Sequence, residues 1–138
     1  MKIIHIEALV RQRLDLVWQA YHDPVHVVKW NFASADWHCP AAEASFVEGG
    51  SFSHRMEAKD GSFGFDFKGV YDRIEPKSHI SYHLLDNRAV DVVFEENEGF
   101  VRVAVAFEAE TMNSPDLQKA GWQAILNQFT RHAESLQA

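Results

Sequence analysis

A chain of 138 residues with 46% hydrophobic and 24% charged side chains suits one domain that buries roughly two-thirds of the surface its unfolded form exposes, and it excludes both a disordered segment and two independent domains. A formal charge of -7, with Lys and Arg scattered singly, excludes the basic stripe that displaces counterions from a nucleic-acid backbone. Cys39 is the only cysteine, which excludes an internal disulfide and a multi-thiolate metal site and suits a reducing compartment.

The chain opens on "MKIIHIEALVRQRLD". His5, Glu7 and two arginines interrupt the apolar run, so it does not read as a signal peptide. No apolar stretch reaches the length of a membrane span. The expected location is therefore the cytoplasm. Within the opening segment, Ile4, Ile6, Ala8 and Val10 alternate with His5, Glu7 and Leu9, the period of a strand with one face turned inward.

From Leu14, apolar Val17, Trp18 and Tyr21 recur at helical spacing to about His22. Asp23 and Pro24 then supply an N-cap and a first-turn proline for a second short helix ending near Trp30. Beyond it the period falls to two for some eighty residues, broken at "EGG", "KDG", "EPK", "DN" and "NEG", which are turn signals. Strands are expected near 36–39, 42–47, 50–58, 62–74, 79–85, 88–96 and 99–110. In the long strand, Phe63, Phe65 and Phe67 share a face, and Val70, Asp72 and Ile74 follow in the opposite phase. A bulge at Lys68-Gly69 would make that switch and curve the sheet.

The last segment has Ser114 as N-cap and Pro115 in the first turn. Leu117, Trp122, Ile125, Leu126, Phe129, Ala133 and Leu136 form one stripe at intervals of three and four, the mark of an amphipathic helix. At ~1.5 Å per residue it spans about 30 Å and must lie across the sheet. The fold class is α+β: a curved antiparallel β-sheet wrapped around a long C-terminal helix, with two short helices after the first strand, in a single domain over residues 1–138. A bowed sheet around one helix leaves a gap wherever the two do not interlock.

Several pieces, taken in order, carry a family resemblance: "VWQAYHDP" followed by "KW", then "AEASFVEGGSFSHRM", "GVYDRIEPKSHISYHL" and "AGWQAILNQF". Across nearly its whole length the chain resembles the helix-grip domains related to START and Bet v 1 proteins, and among them the branch named after the activator of heat shock protein 90 ATPase. The resemblance implies a hydrophobic cavity between sheet and helix, which in some members holds lipids or other apolar ligands and in others serves polyketide cyclases or aromatases. The eukaryotic co-chaperone that gives the branch its name carries an additional N-terminal domain, which this chain has no length to contain. The family has no universal catalytic signature to transfer.

The candidate site is the inner face. Phe63, Phe65 and Phe67 are packed core or pocket lining, since periodicity reports the face and not the void. Phe52, His54 and Met56 share the inner face of their strand, where His54 is either a hydrogen-bonded core imidazole or a ligand-orienting one. Tyr82 joins His54 as a polar anchor, and Trp122 and Leu126 face them from the helix. Trp30 and Trp37 flank "NFASAD", a loop placed at the cavity mouth with one or both rings as a gate. Eight histidines include no HExxH, and His79 and His83 stand too far apart on one strand to chelate one ion, so no metal or other cofactor is expected. His38 and Cys39 point to opposite faces and form no nucleophile pair. The inner face offers no acid/base pair beyond His54, so a non-enzymatic binder of a small apolar molecule is the leading reading. A protein-interaction module contacting a chaperone or another protein is the alternative, and cyclase-like chemistry the least supported.

Overall fold

The computed structural model describes residues 2–137. The chain runs β1 (Ile3–Val10), α1 (Leu14–His22), α2 (Pro24–Val27), β2 (Trp37–Ala44), β3 (Ser51–Ala58), β4 (Gly64–Glu75), β5 (His79–Leu84), β6 (Ala89–Asn97), β7 (Phe100–Glu108) and α3 (Pro115–Glu134). The strands form one antiparallel sheet in the order β1-β7-β6-β5-β4-β3-β2, so the chain meanders from β2 to β7 and β1 closes the far edge. Every hairpin turns where the sequence carries turn chemistry. Non-glycine residues take up the left-handed conformation at two of these turns, Lys77 (φ 61°) and Asn87 (φ 69°).

Alternation builds the concave face. Along β7 every second residue, Val101, Val103, Val105 and Phe107, is buried, and Ile4 and Ile6, Val90 and Val92, and Ile80 and Tyr82 continue that surface across neighbouring strands. The convex face carries polar pairs instead: Arg102 bridges Glu7 on β1 and Glu95 on β6, while His79 and His83 meet Asp91 and Asp72. Such exposed pairs contribute little to stability.

Both helix starts follow the expected chemistry. Val25 N donates to Asp23 Oδ1 at 3.0 Å, and Leu117 N donates to Ser114 Oγ at 3.1 Å. The second helix is shorter than its sequence pattern indicates and ends at Val27. The C-terminal half of α3 is fastened to the start of the chain: Gln12 Nε2 donates to the carbonyls of Ala133 and Leu136, and Arg11 N to Glu134. Phe129 and Ala133 are completely buried there. The N-terminal half is tied instead to the segment after β7, where Gln118 accepts from Glu110 N and donates to the carbonyls of Glu110 and Asn113.

Three expectations about the strands are corrected. The pieces near 36–39 and 42–47 are one strand, β2, whose pairing with β3 shifts register between His38 and Ala41. That irregularity holds Pro40 on an edge strand, where a missing N–H is tolerated. The bend in β4 is not at Lys68-Gly69, because pairing with β3 runs unbroken through those residues. The shift lies on the β5 side, between Tyr71 and Arg73. Gly69 has a different reason to be glycine: a Cβ there would stand 2.7 Å from the Phe52 ring and from the His83 carbonyl oxygen. Tyr71 therefore stays in phase with Phe67 and points inward. Finally, β4 begins at Gly64, so Phe63 belongs to the turn and is exposed.

Candidate functional site

Between the N-terminal half of α3 and the sheet lies a cavity of about 460 Å³. It exists because α3 is pulled onto the sheet at its C-terminal end and held off it by the 109–114 segment at the other. The floor is Phe52, His54 and Met56 of β3, Phe65, Phe67 and Tyr71 of β4, and Ile80 and Tyr82 of β5. The roof is Leu117, Gln118, Gly121, Trp122, Ile125 and Leu126 of α3. Tyr21, His22, Trp30 and Asn31 close the end under α1 and α2. Phe65 and Leu117 line the cavity yet are 42% and 61% exposed, which marks them as its rim.

Aromatic contacts make the walls stiff. Trp122 stacks on Phe107 with ring centroids 3.9 Å apart and planes 9° from parallel, and its edge meets Phe67 at 6.0 Å. Phe52 contacts Tyr71, Tyr82 and His54 at 5.0 to 5.2 Å. Trp30 is pinned by its indole N–H, which donates to the Ala20 carbonyl at 2.9 Å, and packs edge-on against Phe129. These two contacts build its ring into the wall.

Polar groups in this wall are few; burial keeps its imidazole and phenol groups neutral, while Arg88 and Glu110 also reach the lining. Asn31 Nδ2 lies 3.1 Å from His54 Nδ1, and burial pulls the His54 pKa down to about 4. Burial likewise lowers His22, with Asp23 opposing, pushes Tyr71 up to about 12, and raises Tyr21 and Tyr82. These groups donate and accept hydrogen bonds at neutral pH without exchanging protons. Among the described residues no three His, Cys, Asp or Glu side chains gather as a metal centre would need.

Of the residues singled out in sequence, Trp30, Phe52, His54, Met56, Phe65, Phe67, Tyr82, Trp122 and Leu126 line the cavity. Trp37 and Phe63 do not: they meet each other at 6.0 Å on the surface beside Phe65. Sequence reasoning missed Tyr21, Asn31, Tyr71 and Gly121. Tyr71 has the parity of Phe65 and Phe67 and was hidden by the misplaced bend; Asn31 carries no periodic signal at all.

A bowed antiparallel sheet gripping a long C-terminal helix over an apolar cavity defines a helix-grip protein of the START/Bet v 1-like superfamily. The family model described as Activator of Hsp90 ATPase homolog 1-like protein matches residues 12–134, and the chain belongs to that family. It is similar to the solution structure of an AHSA1-like protein from Aeromonas hydrophila, at 44% identity and a TM-score of 0.91 over 97% of this chain and 93% of that one. A solution structure of a Cytophaga hutchinsonii protein aligns at 40% identity and a TM-score of 0.82 over 95% and 91% of the two chains. A crystal structure of a Chromobacterium violaceum protein aligns at 17% identity and a TM-score of 0.85 over 99% and 100%, which shows the fold alone. No curated protein matches this chain. Among the described residues, no helix is long and apolar enough to cross a membrane.

Proposed function

We propose that this protein binds a small apolar molecule in the cavity between α3 and the inner face of the sheet. The observation that carries the reading is the space of about 460 Å³ walled by rings and aliphatic side chains with a few convergent polar groups, the usual form of a small-molecule site. An interaction module with a fully packed interior is supported less, because space remains under α3. Burial draws His54 down to about 4, which favours a hydrogen-bonding role for this imidazole over proton transfer of the cyclase kind.

Gly121 provides the test. It borders the cavity, and a Cβ on it meets no atom within 4 Å, so Gly121→Leu fills space without deleting a contact. Leucine also favours a helix over glycine by about 0.8 kcal/mol, so the variant is expected to melt no lower than the parent. Thermal melts against a panel of uncharged hydrocarbons and ketones are expected to find ligands that stabilise the parent by roughly 3 kcal/mol at a hundredfold excess over Kd. In Gly121→Leu the same ligands are expected to give no shift. Unchanged melting of the parent across the panel would rule the reading out.

A further inference from the structure

The polar groups of the cavity define a ligand class more narrowly than its apolar walls do. Tyr71 and Tyr82 stand directly opposite in the β4–β5 register, with ring centroids 6.5 Å apart at 83°, and are 5% and 8% exposed. Tyr21 reaches the same wall from α1. Among the described residues none of these three hydroxyls has a hydrogen-bond partner, yet no fully enclosed side-chain nitrogen or oxygen lacks one. The hydroxyls are therefore not sealed in protein; they open onto the cavity that their rings line.

His54 adds a further donor. The Asn31 amide N–H₂ faces Nδ1 at 3.1 Å, and an amide nitrogen only donates, so Nδ1 accepts and the ring proton sits on Nε2. No protein group among the described residues takes that proton in a hydrogen bond. The wall thus presents hydroxyl and imidazole donors that no protein acceptor takes up, although each tyrosine oxygen can also accept. It offers no free positive charge to match: Arg88 reaches the lining, but its Nε is held by Asp86 at 2.7 Å. Glu110, also in the lining, adds a negative charge. A carboxylate entering here would lose its hydration without gaining a cation. A carbonyl oxygen has two in-plane acceptor directions and no charge to desolvate.

We propose that the cavity selects an uncharged apolar molecule bearing a carbonyl oxygen, held by the paired Tyr71 and Tyr82 hydroxyls, with His54 Nε2–H as a second donor site. This rests on the reading of the cavity as an apolar binding site, and the test separates the two.

Fluorenone, fluorene and fluorenecarboxylate share a ring skeleton and differ in the polar group. Titration calorimetry on the full chain is expected to show fluorenone binding about tenfold tighter than fluorene, the value of one good hydrogen bond, and the carboxylate weakest. The infrared carbonyl stretch of bound fluorenone is expected to lie below its value in hexane. In the double variant Tyr71→Phe, Tyr82→Phe the ketone falls to the affinity of the hydrocarbon and the stretch returns toward the hexane value. Fluorene is titrated against the same double variant, so the loss is read as the ketone-to-hydrocarbon affinity ratio, which falls to about one, and any change common to both ligands cancels. Equal affinity for ketone and hydrocarbon in the parent overturns the inference and leaves the apolar site standing. Tightest binding of the carboxylate also overturns it, with Arg88 as the anchor instead. Failure of all three to bind removes the inference together with the reading beneath it.

Discussion

Phe129→Ala is expected to lower the stability of the fold by about 3 to 5 kcal/mol, enough to drop the melting temperature by on the order of 10 °C or more. Phe129 has no exposed surface and sits where three elements meet. Its ring lies edge-on to Tyr21 at 5.1 Å and to Trp30 at 5.0 Å, and both neighbours are held by other contacts. Trp30 is tied to the Ala20 carbonyl, and Tyr21 packs edge-on against Phe94 of β6. Walls braced in this way relax little, so the void left by alanine stays open and the cost falls at the upper end for a deleted ring. The paired control is Leu117→Ala on the same helix, whose side chain is already 61% exposed at the cavity rim and should matter by no more than about 0.5 kcal/mol. Urea denaturation of both variants checks the contrast. A loss below about 1 kcal/mol at Phe129 would mean that the C-terminal half of α3 does not anchor the grip.

The second large effect is a loss of stability in acid that passes through His54. Burial lowers its pKa from 6.5 to about 4 in the folded protein, so the folded state refuses a proton that the unfolded chain accepts. Above pH 6.5 neither state is protonated and the contribution is complete. As the pH falls from 6.5 toward 4 the unfolded state binds more protons and stability drains away. The fall from 6.5 to about 4 corresponds to roughly 3 kcal/mol. His22 and His132, which burial also lowers, act in the same direction as the pH falls below 6.5. The share of His54 is therefore the difference between parent and His54→Gln, which is expected to show a shallower decline across that range. An NMR titration of the His54 ring checks the premise: a midpoint near 6.5 would show that the cavity floor is wetter than its packing implies.

Much of the grip is written in local patterns. The turn signals, the Ser114 and Asp23 caps and the valine alternation of β7 each act over a few residues, and each appears where the pattern puts it. What local patterns do not carry is the choice between two uses of the same residue. A glycine inside a strand marks either a bulge or a close approach. Gly69 is the second kind, since a Cβ there would run into the Phe52 ring, and taking it for the first turned Tyr71 outward and hid a cavity-lining ring. Phe63 and Trp37 share the composition of cavity residues but fall where β4 has not yet begun and where β2 opens on the surface. The void itself depends on where α3 is fastened and where it is held away. That is decided by Gln12 and Gln118, side chains that no hydrophobic period reveals.

The function proposed for this protein requires that the space under α3 admit an apolar guest. The most direct measurement is a set of intermolecular NOEs between fluorene and the isotope-labelled full chain. Contacts from fluorene to Met56, Ile80 and Leu126, which line opposite walls of the cavity, are the predicted result. A saturating fluorene signal confined to Trp37 and Phe63 on the outer surface, or none at all, would contradict it.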